Sequence, residues 1–292
     1  MNRQQSYAST NKGILYLVPT PIGNLEDITF RALRILKEVD VIAAEDTRQT
    51  RKLLTHFDIT KPLTSYHEHN KKQSGDKLLV QLERGEQVAL VSDAGMPAIS
   101  DPGSDLVKEA IGRGITVIPL PGANAALTAL ISSGLNTAQF YFYGFLPRKK
   151  KEKLSVLESI KSIHGTLIFY ESPHRVKDTV ATLKETFGAE QKVVLARELS
   201  KRYEEFLRGT LEEMYELVNS EDFKGEFCIL VEGSQSEEVT QSWWETLTVE
   251  QHVEHFISVQ GLSSKEAIKQ TAKERGLPKR EVYQTYHVHN EK

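Results

Sequence analysis

Hydrophobic positions fall into two rhythms along this chain. Compact apolar runs of strand length recur at residues 14–18, 41–44, 88–91, 115–118, 140–143, 166–170, 192–196 and 227–231. Val88, Ala89, Leu90 and Val91 are apolar without alternation, the pattern of a strand buried on both faces. Between the runs, apolar residues return at helical spacing. Asp27 or Thr29 is placed to cap a helix carrying Ala32, Leu33, Leu36 and Val39. Leu106, Val107, Ala110 and Ile111 mark one face of a helix ending at Gly112 or Gly114, and Val176, Val180, Leu183 and Phe187 mark a face of a helix over 174–187. This alternation predicts an α/β chain. Residues 13–122 read as one doubly wound domain. A second α/β unit, 123–233, opens with the helix in ANAALTALISSG. Periodicity alone is compatible with one sheet or with two.

The flanking segments differ in kind. Residues 1–12 are polar and read as a flexible tail, and SQSEEVTQS at 234–242 reads as a linker. Residues 243–292 predict a separate helical module. Thr248 to Gln251 and Ser263 to Glu266 have capping-box spacing, Gly276 ends the second helix, and Pro278 suits the first turn of a third. Helix, glycine turn, helix fits a helix-turn-helix nucleic-acid module and equally a small helical cap with a solvated face.

Five strand-length runs end in polar, turn-forming loops: Pro19-Thr20-Pro21-Ile22-Gly23-Asn24, Glu45-Asp46-Thr47-Arg48, Ser92-Asp93-Ala94-Gly95-Met96-Pro97, Pro121-Gly122-Ala123-Asn124, and the segment after Tyr170, Glu171-Ser172-Pro173. Open α/β sheets bind ligands at the carboxyl ends of their strands, so five such loops predict a cleft. None contains G-x-G-x-x-G or G-x-x-x-x-G-K-[ST], which removes the warrant for a dinucleotide or P-loop triphosphate site.

Composition narrows the class. The 292 residues are 39% hydrophobic and 26% charged, with formal net charge −3. That balance argues against a nucleic-acid coat protein, so any RNA contact is regional. Two basic regions stand out. Arg148, Lys149, Lys150 and Lys151 form a cationic loop after the aromatic FYFYGF, in which Tyr141 and Tyr143 are candidates for base stacking. Residues 262–292 hold seven Lys/Arg against four Asp/Glu, with Lys273, Arg275, Lys279 and Arg280 as candidate phosphate contacts. The lone Cys228 excludes an intramolecular disulfide and a multi-cysteine zinc site, and suits a reduced compartment. No signal peptide and no run of 18 apolar residues is present, which predicts a cytoplasmic protein without membrane association. His67-Glu68-His69, His252-x-x-His255 and His287-Val288-His289 have metal-like spacing without supporting cysteines. No metal is assigned, and His67 and His69 are expected on the substrate side of the cleft.

The blocks VPTPIGNLEDIT, AAEDTRQTRKLL, SYHEHN, VSDAGMPAISDPG, PLPGANAALTALISSGL, FYFYGFLPRK, FYESPHR, ARELSKRYEEFLRGT and GEFCILVEG occur in one order over residues 13–233. In that order and spacing the chain resembles the tetrapyrrole methylase superfamily, and within it the branch of bacterial 16S ribosomal RNA (cytidine-2'-O)-methyltransferases. The tail also resembles that branch's C-terminal helical module. The resemblance implies two α/β domains with S-adenosylmethionine in the cleft between them. It further implies methyl transfer to a ribose 2'-hydroxyl, at cytidine 1402 of 16S rRNA, with the 30S subunit as context and a homodimer as assembly. Carried across, Asp93, Ala94, Gly95 and Met96 face the methionine part of the cofactor, as do Asn124 and Ala125. Tyr170, Ala196, Glu226 and Phe227 hold the adenosine, and Pro21 and Gly23 border cofactor and substrate. Ser92-Asp93-Ala94 stands where many tetrapyrrole-acting relatives have Gly-Asp-Pro, a departure from the family's pattern at this loop.

An in-line displacement asks the protein for alignment and for removal of the hydroxyl proton. Glu45 and Asp46, at a strand end beside Arg48, are the candidate bases, followed by Glu171; Arg48 is placed to orient a phosphate or a carboxylate. Either Glu45 or Asp46 equally fits a cap of the helix beginning near Thr47. Two rival functions are a tetrapyrrole methyltransferase, which the basic segments disfavour, and a non-catalytic ribosome-associated protein on the same fold.

Overall fold

A computed structural model describes residues 3–6, 11–234, 244 and 246–288. Two compact units emerge, Met1–Ser234 and Gln235–Lys292. In the first, five short strands make a wholly parallel sheet: β1 (Ile14–Leu17), β2 (Val41–Ala44), β3 (Leu63–Ser65), β4 (Val88–Val91) and β5 (Thr116–Pro119), in the order β3-β2-β4-β1-β5. Its two faces are covered by different helices. α1 (Phe30–Glu38) and α2 (Thr47–His56) pack on Tyr16, Ile42, Ala44, Ala89 and Val91, whereas α3 (Lys71–Glu83) and α4 (Ser104–Gly112) pack on Leu15, Val41, Ala43, Val88 and Leu90. Successive residues of β1, β2 and β4 therefore enter opposite cores, which is why these three strands are apolar throughout. Thr29, not Asp27, caps α1 by accepting the Ala32 amide. Ile111 departs from its expected face and is 45% exposed, since α4 buries only Leu106 and Ala110.

The second sheet is separate and mixed. β6 (Phe140–Phe145), β7 (Thr166–Glu171), β8 (Lys192–Arg197), β9 (Glu205–Thr210) and β10 (Phe227–Val231) run in the order β6-β7-β10-β8-β9, and only β6 and β7 are parallel. α5 (Ala125–Ser133) covers one face, over Ile168, Val194, Ala196, Cys228 and Leu230. α6 (Lys150–Ile160), α7 (Val176–Phe187) and α8 (Leu211–Ser220) cover the other.

Three expectations need correction here. The lysine run is not a loop: it starts α6, and Lys153 is fully buried, its ammonium 2.5 Å from Asp178 and 3.0 Å from the Thr179 hydroxyl. Tyr143 is core rather than a stacking platform, packed against Phe169. The N-terminal segment is partly tied down. The Gln4 side-chain amide imitates a strand by pairing with both the amide and the carbonyl of Val117 on the open edge of β5.

The second unit is a three-helix cluster of α9 (Val249–Ser258), α10 (Ser264–Arg275) and α11 (Lys279–Val288) around Val253, Phe256, Ala267, Ile268 and Val282. Both expected capping boxes form, and Gly276 ends α10 with φ +61°. The expected linker, apart from Ser234, lies outside the described residues, as does His289 of the third histidine pair. Among the described residues no helix is long and apolar enough to cross a membrane.

Candidate active site

Because β1, β2, β4 and β5 are parallel, the loops after them meet at one edge of the first sheet. Two of these loops are stitched together. Thr20 and Gly95 exchange backbone hydrogen bonds of 2.9 Å, and the Thr20 hydroxyl donates to the Ser92 carbonyl. Gly95 has φ +80°, a conformation that a side chain would strain. Ala98 and Ser100 adopt φ of +67° and +61° without being glycine, so the loop between β4 and α4 stores strain, as functional loops commonly do.

Where this edge meets the second sheet there is a cavity of about 440 Å³, a size that suits a small-molecule ligand. Ile22, Met96, Ile99, Phe145, Tyr170 and Leu199 give it an apolar wall. Its ionisable lining is lopsided: Glu45, Asp93, Asp101, Glu171, Glu198 and Glu226 stand against the single ammonium of Lys201. Lys201 is itself engaged, donating to Glu198 at 2.8 Å and Glu226 at 3.1 Å. The surplus of carboxylates perturbs their own titration. Burial first, then the charge of Glu45 and least that of Asp93, lift Asp101 to about 6 against an opposing hydrogen bond from Ser92. Glu45 is raised as well, by burial and then by Asp93. Burial pushes the Tyr170 hydroxyl up to about 12, so it stays protonated while accepting the Ala126 amide at the start of α5.

The family model for tetrapyrrole (corrin/porphyrin) methylases matches residues 14–215. The chain belongs to the tetrapyrrole methylase family. Among its relatives, the ribosomal RNA small subunit methyltransferase I of Bacillus subtilis (strain 168) is 56% identical over 291 residues, 99% of each chain. The protein of the same name from Halalkalibacterium halodurans is 60% identical over 289 residues, 98% of this chain and 99% of its own. A solved uroporphyrin-III C-methyltransferase from Thermus thermophilus, complexed with S-adenosyl homocysteine, shares the fold at 21% identity and a TM-score of 0.54, over 75% of this chain and 97% of its own.

In this tetrapyrrole methylase the expected cofactor residues Asp93, Ala94, Gly95, Met96, Asn124, Ala125, Tyr170, Ala196, Glu226 and Phe227 all line the one cavity. Pro21 and Gly23 do not. They line an adjoining hollow of about 540 Å³ together with Gln49, Thr50 and Leu53 of α2, and only Ile22 of their loop reaches the first cavity. Gly23 is needed where it stands, since a Cβ there would lie 2.9 Å from the Leu199 carbonyl oxygen.

The three candidate bases separate clearly. Glu45 faces the cavity. Asp46 does not: its carboxylate caps α2 by accepting the Arg48 amide and is gripped by the Arg48 guanidinium at 2.6 Å, which lowers it to about 2 and leaves it a poor proton acceptor. Glu171 lines the cavity but is spent on structure, accepting from the Ser172 amide and, at 2.7 Å, from the Thr179 hydroxyl. Sequence reasoning missed Asp101, although it lies in the same Asp-Pro-Gly-rich loop as Asp93. It also missed Glu198 and Lys201, whose only signal was their place in the ARELSK block.

The cationic candidates also divide. Arg148, Lys149, Lys150 and Lys151 are exposed but line no part of the cavity, and Lys149 and Lys150 pair with Glu152 and Glu185. In the second unit Lys273, Lys279 and Arg280 are exposed. Arg275 is not a free phosphate ligand. Its guanidinium donates to the carbonyls of Trp244, Leu247 and Thr248 and to His252, and stacks 4.9 Å over Trp244. His67 is half-buried and His69 exposed, and neither lines the cavity, though His67 is near enough to Glu45 to oppose its rise.

Proposed function

We propose that this chain transfers the methyl group of S-adenosylmethionine to a ribose 2'-hydroxyl of 16S ribosomal RNA in the cytoplasm, at the cytidine numbered 1402. The observation that carries the proposal is full-length likeness: relatives at 56% and 60% identity, aligned over 99% and 98% of this chain, are named for methylation of small-subunit ribosomal RNA. The fold shared with a porphyrin methyltransferase stops at 75% of the chain. The assembled 30S subunit is the substrate proposed, and a homodimer the working assembly.

The cavity's chemistry fits the cofactor. A sulfonium is a cation, and a site with six carboxylates and one ammonium favours a cationic ligand over its neutral thioether product. Asp93 to Met96, Asn124 and Ala125 would hold the methionine part, and Tyr170, Ala196, Glu226 and Phe227 the adenosine. S-adenosylmethionine supplies the electrophilic methyl carbon. The chain's own residues align the acceptor oxygen and take its proton. Asp101 and Glu45 suit the second task, since a base raised toward neutrality accepts a proton more readily than Asp46 held near 2.

The test is labelled methyl transfer to three acceptors in parallel: 30S subunits lacking the modification, the same RNA stripped of protein, and uroporphyrinogen. Label in 2'-O-methylcytidine from the first is expected. Label only in the porphyrinogen would overturn the proposal.

A further inference from the structure

Helix α2 departs from the cavity rim and carries Arg48, Arg51, Lys52 and His56, with no acidic residue along its ten positions. Elsewhere in this unit many exposed cations are neutralised by neighbours, as Lys71 is by Glu68 and Asp105 and Arg34 by Glu38. On α2, among the described residues, only Arg48 has such a partner, Asp46. Among the described residues Arg51 and Lys52, both exposed, have no carboxylate within ion-pair distance, and the Lys52 ammonium reaches only the Gln49 amide oxygen at 3.3 Å. In a chain with 40 acidic and 37 basic residues this strip is a local concentration, not a share of a general surplus.

The surface beside it is a shallow, open depression continuous with the site. A hollow of about 530 Å³ lies along Arg48, Arg51, Lys52, Thr55 and His56. It shares Lys52 and His56 with the hollow between α2 and Thr20–Gly23, which in turn shares Asp93, Ala94 and Lys201 with the acidic cavity. Positions 48, 51 and 52 lie on one helix face within about 6 Å of rise, comparable with the step between neighbouring phosphates of a strand.

We infer that α2 is the rail on which the RNA strand lands. Arg51 and Lys52 hold neighbouring phosphates of a single-stranded segment, Arg48 flanks them on the same face with its charge shared with Asp46, and the hollow formed by Thr20–Gly23, Gln49 and Leu53 receives the unstacked target nucleotide. The inference rests on the proposed function and adds the surface and strand chemistry that serve it.

The test compares the full chain with Arg51→Ala/Lys52→Ala and, as an equal charge change at already paired lysines, Lys149→Ala/Lys150→Ala. Binding to unmodified 30S subunits is followed across a salt series, and S-adenosyl homocysteine binding is measured by calorimetry. Removing two phosphate contacts lowers the salt slope by about 1.4 and weakens RNA binding about tenfold near 0.15 M salt. Cofactor affinity and kcat at saturating RNA stay unchanged, and Arg51→Lys recovers most of the slope. The inference is overturned if the α2 variant keeps its slope and KM for RNA, or if the lysine-run variant loses as much. Should the unaltered chain methylate no RNA at all, the proposed function fails first, and the rail with it.

Discussion

Substituting Asp101 by Asn separates stability from activity. The folded protein holds this carboxyl at about 6 against an ordinary 3.8, so ionising it in the native state costs up to about 3 kcal/mol. Water at the cavity mouth screens part of this, and about 1–3 kcal/mol is expected. The sign follows from linkage: between about pH 4 and pH 6 the folded state binds more protons than the unfolded state, so stability falls as pH rises through that window. The Asn variant never pays this cost. At pH 8 it is the more stable protein, and its advantage narrows by up to about 1.4 kcal/mol at pH 5, where native Asp101 is mostly protonated. Urea unfolding followed by far-UV circular dichroism is the suitable assay, because both tryptophans, Trp243 and Trp244, lie beyond the unit that holds the cavity. On the proposed function, with Asp101 as proton acceptor, methyl transfer falls by about 10²–10⁴. A variant no more stable at pH 8, or one whose advantage is the same at both pH values, refutes the electrostatic account of this cavity.

Three further outcomes follow from packing. Gly23→Ala places a Cβ 2.4 Å from the movable Lys201 side chain and 2.9 Å from the immovable Leu199 carbonyl; a loss of about 1–3 kcal/mol in urea and weaker S-adenosyl homocysteine binding are expected, and unchanged binding would mean this seam is slack. Asp178→Ala strands the buried Lys153 ammonium and costs about 2 kcal/mol, discounted because Asp178 is 59% exposed, whereas Lys153→Met costs less; the reverse ranking would contradict this. Arg275→Ala removes the donor to three carbonyls and the stack on Trp244, so the second unit's tryptophan fluorescence transition shifts to lower urea by about 2 kcal/mol, and an unmoved transition would show those bonds to be dispensable.

What was legible in the sequence is what local chemistry dictates. The VALV and VIAA runs are apolar throughout because each residue enters one core or the other, and the two capping boxes form because their partners lie three residues apart. β3 is only Leu-Thr-Ser, too short for any period to register. α3 contains Gly75, buried where a Cβ would lie 3.6 Å from the Tyr66 ring, and a glycine in mid-helix hides the helical pattern around it. The lysine run misled because composition describes a solvated loop, whereas the burial of Lys153 depends on Asp178 and Thr179 of another helix. Asp101 escaped for the same reason. Its titration is set first by burial and then by Glu45, which reaches it only because β2 and β4 run parallel and end at the same edge.

The two charged features of the first unit oppose each other, and salt should tell them apart. The carboxylates lie inside a cavity whose walls exclude part of the solvent, while Arg51 and Lys52 stand in open water, where charges are screened beyond about 8 Å at physiological ionic strength. On the proposed function, the acidic walls repel phosphates from the cofactor site and select the cationic cofactor over its neutral product. The α2 cations meanwhile keep the strand at the rim. Raising salt from 0.05 to 0.2 M should therefore increase the KM for RNA, with two phosphates on α2 alone contributing a slope of about 1.4. The cofactor's affinity should move much less. Steady-state methyl transfer with each substrate varied in turn measures both. If the two constants rise together, the charges do not sort the ligands, and the division of labour between cavity and helix is wrong.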